Sequence, residues 1–358
     1  MKNIYLVEYL NATTKNGEPT GHALNALNDD LNLFKGEETK YSVTIVASKK
    51  YLESFKNIKY ISLKYSNSDT INNFLPFLYK NAFNIVHLLR MSNEGIYWFT
   101  NIEWTFLAIL ALLPKQIIRG KTIIITQFRD NYEDLNNTKK LRKLKKRLVE
   151  YSLKNRIAAS INTAKIKNNY CRNIELPDFY YDPSKYAKYE VKEKSKIPLC
   201  IGTMSERKQI LKLIDLFRST DMKLEIIGHF VDNEYYNLCK NHATDNITIT
   251  NKILNSEEYY SKIASHRFII LSYNMNDYKN ATSGVLLETI YLKSVPVAPR
   301  KLLDFNHING IGYETLSEIP SIIRENEDNS QMNIDNNLDH YSINYCKNKI
   351  FDLLEEIC

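Results

Sequence analysis

The stretch Cys200–Phe217, CIGTMSERKQILKLIDLF, reads as one strand–turn–helix unit. A strand over Pro198–Ile201 ends in Gly202, a short loop carries Ser205, and Lys208 opens a helix over Gln209–Phe217. A lysine at a helix start beside a strand end can reach a diphosphate as a point charge. The plainer reading is an ordinary turn with a solvated lysine.

Working outward, the same alternation continues on both sides. Downstream come strands at Leu224–Ile227, Ile247–Thr250, Phe268–Leu271 and Pro296–Ala298, with a helix at Ser256–Ala264 and another after Ser283. Upstream, strands are expected at Asn3–Val7, Ser42–Ala47, Ile58–Leu63, Ile85–Leu89, Thr122–Thr126 and Ile157–Ile161. Helices are expected at Ala23–Phe34, Ile71–Lys80 and Glu103–Leu113. Short apolar strands alternating with helices predict an α/β chain with parallel sheets covered on both faces. The charged stretch Asp182–Lys196 has no apolar period and reads as a linker. Two tandem doubly wound domains are therefore expected, 1–192 and 193–340. A final helix, 341–358, would pack back toward the first domain with Ile343, Ile350, Leu353 and Leu354 as its stripe.

The bulk numbers agree with that plan. At 358 residues the chain is long enough for two domains, and 44% apolar with 25% charged residues is ordinary for a globular protein. The net charge of +7 is too diffuse to argue for nucleic acid, but it suits anionic ligands or an anionic membrane. Cys171, Cys200, Cys239, Cys346 and Cys358 are scattered without zinc or disulfide spacing. The longest apolar run, Trp104–Leu113, is about half of what a bilayer span needs. A cytoplasmic location is expected, so the sequons at Asn11, Asn246 and Asn280 read as chance matches.

The stretch Asn280–Pro299, NATSGVLLETIYLKSVPVAP, holds a second anion-binding signal. Thr282, Ser283 and Gly284 stand where a helix begins, and free N–H groups with the positive end of the helix dipole favour an anion there. Glu288 falls one turn further on and could accept both hydroxyls of a ribose, as acidic residues do in dinucleotide folds. A Ser/Thr cap with Glu288 reaching to solvent is the plainer reading.

Together these segments resemble the second domain of GT-B glycosyltransferases of the GT4 type. The spacing Gly202-x-x-Ser205-x-x-Lys208 is followed about 75 residues later by SGVLLETIYLKSVPVAP. Between them, KLEIIGHF resembles the family strand that ends in glycine, here Gly228, and KIASHRFIILSY resembles the strand before the donor loop. The resemblance implies two Rossmann-like domains with an interdomain cleft and a nucleotide-diphosphate sugar on the second. It places the diphosphate at Lys208 and the Thr282–Gly284 amides, and the ribose at Glu288. The family arginine falls on Thr203, the first glutamate of the family pair on Asn280, Gly284 is shifted by one, and the glycine before the last strand is Ser294. The implied donor-side set is Gly21, Gly202, Thr203, Lys208, Gly228, Asn280, Thr282, Ser283, Gly284 and Glu288.

The first half matches only as a fold pattern. Gly21 follows the first strand at a turn into a helix, where such proteins often place a glycine near the donor phosphates; His22 beside it could contact phosphate or act as a base. His87 is expected inside a strand, in a structural role. Gln127, Arg129 and Asp130 follow a strongly apolar strand and would face the acceptor, with Asp130 orienting or deprotonating its hydroxyl. Thr138–Asn155 is a basic amphipathic helix with Leu141, Leu144, Leu148 and Tyr151 as its apolar stripe. It would either pack as a domain helix or dock the protein on an anionic membrane, peripheral on the inner face.

No Asp-x-Asp, GxGxxG after the first strand or P-loop occurs, which disfavours a metal-chelating nucleotide site, an NAD enzyme and a P-loop NTPase. The expected function is a metal-independent sugar transferase in cell-surface polysaccharide assembly. It would have no cofactor, and its partners would be a nucleotide sugar and a glycan or lipid-linked acceptor. A sugar-nucleotide epimerase of the same fold and a non-catalytic sugar-nucleotide-binding protein remain open.

Overall fold

A computed structural model describes residues 1–10, 12–13, 21–55, 58–68, 74–91, 94–100, 102, 104–127, 140–162, 169–276, 278, 283–327 and 336–357. The chain divides into two compact units: Met1–Tyr180 with Ile343–Cys358, and Tyr181–Ser342.

The first unit is built on seven parallel strands: β1 (Lys2–Glu8), β2 (Tyr41–Ser48), β3 (Lys59–Leu63), β4 (Gly95–Thr100), β5 (Lys121–Gln127), β6 (Ala159–Asn162) and β7 (Arg172–Glu175). Their order is β3-β2-β1-β4-β5-β6-β7. Its helices include α1 (Gly21–Asn32), α2 (Phe74–Met91), α3 (Trp104–Leu112) and α4 (Lys140–Asn155). Both sheet faces are apolar because successive side chains point to opposite sides. Ile4, Leu6, Ile96 and Trp98 enter one core with Leu27 of α1. Tyr5, Val7, Tyr97 and Phe99 enter the other with Leu88 of α2, Phe106 of α3 and Leu153 of α4.

One expected strand is wrong. Ile85–Leu89 lies inside α2, where Ile85, Leu88 and Leu89 are buried and His87 is exposed, stacked on Phe83 at 5.5 Å. A five-residue apolar run fits a strand and one side of a helix equally well. The strand of this region is GIYWFT, β4, which pairs with β1 and β5. It opens at Gly95, where a Cβ would lie 2.8 Å from the Asn3 carbonyl oxygen of β1.

The second unit carries β8 (Leu199–Ile201), β9 (Leu224–Gly228), β10 (Ile247–Asn251), β11 (Phe268–Ile270), β12 (Val295–Pro299) and β13 (Ile311–Tyr313), all parallel. The order β10-β9-β8-β11-β12-β13 is the Rossmann arrangement 3-2-1-4-5-6. Its helices include α5 (Ile210–Arg218), α6 (Asn233–His242), α7 (Ser256–Ala264), α8 (Gly284–Tyr291), α9 (Arg300–Asn306) and α10 (Ile319–Asn326). Asp232 caps α6, and Asn255 with Glu258 forms a capping box on α7. Ile210, Leu213, Ile214 and Phe217 of α5 close one face of this sheet with Ile226, Phe268 and Val297.

The linker expected over Asp182–Lys196 is instead part of the second unit. Asp182 caps a short helix, Pro183–Tyr186, and Tyr186 and Tyr189 are buried. Of the charges that hid its structure, Lys188, Glu190, Lys192, Glu193 and Lys196 are exposed, while tyrosines supply the apolar contact. After the second unit the chain returns to the first as α11 (Ile343–Ile357), which buries Cys346, Ile350, Leu353 and Leu354 in the core of Ile4 and Trp98.

Candidate functional site

In a doubly wound sheet, the loops after the two central strands diverge and leave a crevice at the carboxyl edge. In the second sheet these strands are β8 and β11. Gly202 and Lys208 follow β8; Ser272 and Tyr273 follow β11. The two loops are tied together. Ser272 Oγ donates to the Lys208 carbonyl at 2.5 Å, and the Asn274 amide donates to the Arg207 carbonyl at 3.0 Å.

Lys208 ends a 3₁₀ turn, Glu206–Lys208, and Gln209 then adopts a left-handed conformation, φ 51°, before α5 starts. That geometry turns the lysine inward, and it is only 7% exposed. Its Nζ donates to the Ile201 carbonyl at 3.1 Å and lies 5.6 Å from the centroid of the Tyr273 ring. No carboxylate pairs with it among the described residues, and burial pushes its ammonium below the usual lysine range. One N–H is used and two have no partner among the described residues. An unpaired buried cation is costly to the fold, and an anionic ligand is what would offset that cost.

The glycines make this pocket. At Gly202, φ +108°, a Cβ would sit 3.2 Å from Lys208 Nζ. At Gly228 a Cβ would sit 1.8 Å from the Gly202 carbonyl oxygen, so the ends of β8 and β9 meet backbone to backbone. Thr203, expected beside the phosphates, is exposed.

The α8 helix brings in the second group. Ser283 caps it, with Oγ 3.4 Å from the Leu286 amide and 2.9 Å from the Tyr273 hydroxyl. Gly284 opens the helix. Glu288 is 2% exposed rather than reaching to solvent, and the Tyr259 hydroxyl donates to its Oε2 at 2.8 Å. Through the Tyr273–Ser283 bond, Lys208 and the amino end of α8 share one aromatic wall. Asn280 and Thr282 lie outside the described residues.

Two features escaped sequence reasoning here. Arg207 is exposed and lies 5.9 Å from the centroid of the Tyr278 ring, which stacks on Tyr273 at 4.0 Å. A second cation thus stands next to Lys208, although the family position falls on Thr203. Its signal was adjacency: Arg207 precedes Lys208 directly. The tyrosine pair Tyr259 and Tyr273 had no signal in a chain with 25 tyrosines.

In the first sheet the corresponding central strands are β1 and β4. Glu8, the last residue of β1, is 1% exposed, and the Thr100 hydroxyl lies 3.0 Å from its Oε2 and 3.2 Å from the Val7 carbonyl oxygen. A carboxylate at the end of an apolar strand was the available clue. Gly21 and His22 begin α1, and Gln127 ends β5, so their backbones are placed; the side chains of His22 and Gln127 lie outside the described residues. Arg129 and Asp130 lie outside them entirely.

No protein-family model and no curated protein matches the chain. Solved structures do match in fold. A trehalose 6-phosphate synthase from Burkholderia multivorans aligns with TM-score 0.69 at 8% identity, covering 100% of this chain and 99% of that one. The N-terminal domain of a Candida albicans trehalose-6-phosphate phosphatase aligns with TM-score 0.68 at 11% identity, covering 99% and 97%. AviGT4, a glycosyltransferase of avilamycin A biosynthesis, aligns with TM-score 0.60 at 10% identity, covering 100% and 98%. With both Rossmann-like sheets matched over the full chain, the fold is that of the GT-B glycosyltransferases.

Proposed function

We propose that this protein is a metal-independent glycosyltransferase that takes a nucleotide-diphosphate sugar on its second unit. The observation that carries this reading is Lys208, a buried cation without a carboxylate partner among the described residues, at the carboxyl edge where the strand order reverses. Similarity in fold to structures of glycosyltransferases, one of them an alpha-glucosyltransferase in complex with UDP-glucose, adds support.

When the sugar leaves, negative charge builds on the β-phosphate. In this reading Lys208, Arg207 and the first N–H groups of α8 stabilise it, a preorganised electrostatic effect of about several kcal/mol in comparable sites. Ser283 fixes the start of that helix. Glu288, held by Tyr259, accepts ribose hydroxyls. The acceptor belongs to the first unit, with Glu8, His22 and Asp130 as candidates to hold or deprotonate its hydroxyl. A glycan or lipid-linked acceptor in cell-surface polysaccharide assembly fits the basic helix α4, which leaves Leu144 and Tyr151 exposed among lysines and arginines.

The test is thermal-shift and transfer assays with UDP-, GDP-, CDP- and dTDP-sugars. One class should stabilise the protein, and Lys208→Ala and Glu288→Ala should remove that shift and at least 99% of transfer while staying folded. Turnover by both variants at the wild-type rate would sink the assignment. Conversion of a nucleotide sugar without any acceptor would point to an epimerase, and binding without chemistry to a non-catalytic protein.

A further inference from the structure

The second unit holds a pocket of about 230 Å³ at the end of α8 away from Ser283. Its walls come from Tyr181, Tyr186 and Tyr189 on one side and Tyr291, Leu292 and Lys293 on the other. The tyrosines brace one another. Tyr181 and Tyr186 stack at 6.0 Å and 15°, and Tyr291 lies 5.3 Å from Tyr181 and 5.4 Å from Tyr186. Tyr186, Tyr189 and Tyr291 are buried and hold the half-buried Tyr181 in place, so the aromatic surface that Tyr181 presents is fixed and loses little entropy on binding.

The polar groups are few and placed. Lys194 Nζ donates to the Leu292 carbonyl at 2.7 Å and to Ser294 Oγ at 2.9 Å. Its third N–H has no partner among the described residues. Glu190 pairs with Lys293 through Oε1 at 2.6 Å, and its other oxygen has no partner among the described residues. Lys194 and Ser294 fix the pocket at the amino end of β12, whereas the Lys208 site is at the carboxyl edge.

We propose that this pocket is a carbohydrate-binding site, separate from the nucleotide site, that takes one neutral pyranose ring of a glycan. The electropositive C–H face of a sugar packs on the negative face of an aromatic ring. Its hydroxyls can accept from Lys194 and donate to Glu190 at once. An apolar ligand would strip water from both groups without replacing their hydrogen bonds. An anion would meet the Glu190 carboxylate, and Lys293 is already paired. A nucleotide sugar is too large, since pockets for drug-sized ligands run about 300–1,000 Å³.

The probes are the methyl glycosides of glucose, galactose, mannose and N-acetylglucosamine, followed by saturation-transfer NMR on the full chain. Ala187 lines the pocket and is exposed, so Ala187→Trp should fill it without disturbing the tyrosines. Saturable binding of at least one glycoside is expected. It should weaken tenfold or more in Ala187→Trp, several-fold in Glu190→Gln, and not at all in Lys208→Ala. Matched melting temperatures check folding, and Glu190→Gln, a change at an exposed side chain, keeps the test open if the tryptophan does not fold. Binding unaffected by both pocket variants, binding lost in Lys208→Ala, or no saturable binding of any probe would each overturn the proposal. Nucleotide-sugar binding should persist in Ala187→Trp, so failure here is separable from failure of the transferase reading.

Discussion

A single methyl group on Gly228 would place a carbon 1.8 Å from the Gly202 carbonyl oxygen, far inside contact distance. Neither partner can swing away, because both are backbone at the ends of paired strands. Gly228→Ala should therefore destabilise the second unit by roughly 2–4 kcal/mol, as overpacking against backbone does. Urea unfolding followed by circular dichroism measures this, and a loss under about 0.5 kcal/mol would mean the strands part easily. The same change should weaken nucleotide-sugar binding, since Gly202 opens the space that Lys208 Nζ occupies. At this scale the positions of Lys208 and Glu288 along the chain, though not a donor role for them, were legible in the sequence. Lys208 lies in the turn between β8 and α5 and Glu288 one turn into α8, the helix after β11, and chain order alone puts the starts of both helices at a carboxyl edge. Glu8 and Arg207 were not read, because one carboxylate in an apolar strand and one arginine in a charged loop have many ordinary explanations. Only the strand order, by placing β1 beside β4, gives Glu8 its position.

The α4 helix shows why an element's face has to be seen. Its sequence stripe ran through Leu141, Leu144, Leu148 and Tyr151. The packed side is instead Val149, Ser152 and Leu153, with Ser152 Oγ donating to the Leu107 carbonyl at 2.6 Å. This leaves Leu144 54% and Tyr151 40% exposed, beside Arg142, Lys143, Arg147 and Lys154. A basic surface with protruding apolar side chains is suited to an anionic bilayer, where each basic residue contributes about 1 kcal/mol. Flotation with phosphatidylglycerol-containing vesicles should recover the protein, and pure phosphatidylcholine vesicles should not. Leu144→Glu with Tyr151→Glu should cut the bound fraction at least fivefold, as should high salt. Equal recovery of the double variant would remove α4 from the membrane reading. The error over Ile85–Leu89 has the same origin: both stretches carry enough apolar residues to suggest an element, but not the neighbours that decide its face or type. The strand GIYWFT was hidden differently, since both its faces are buried and no polar–apolar alternation marks it.

Across the whole molecule the two units carry carboxylates, Asp30 buried and Glu225 half-buried, whose proton affinities are displaced in opposite directions. In the first unit, burial raises Asp30 to about 7, against a hydrogen bond from Tyr180 at 2.7 Å and with Asp29 adding to the rise. In the second, the His266 hydrogen bond, and after it Lys262, holds Glu225 down to about 2. The signs follow from proton uptake. Between about pH 4 and 7 the folded first unit keeps a proton that the unfolded chain has released, so its stability falls as pH rises through that window and levels off above it. Across the window the loss amounts to roughly 4 kcal/mol. Glu225 acts below that window: its contribution is present above about pH 4.5 and is lost as pH falls toward 2. Because the groups belong to different units, the pH response need not be one transition. The chain's return as α11 ties this to its far end, since burial pushes the Cys346 thiol up and Asp30 adds to that rise. Asp30→Asn keeps an acceptor for Tyr180 but removes the charge. It should raise the melting temperature of the first unit by several degrees at pH 8 and change it little at pH 4. Scanning calorimetry from pH 3 to 8 on both proteins tests this. Parallel profiles would show that Asp30 is ionised in the folded chain at little cost, and that its burial against Tyr180 is relieved by neighbouring groups.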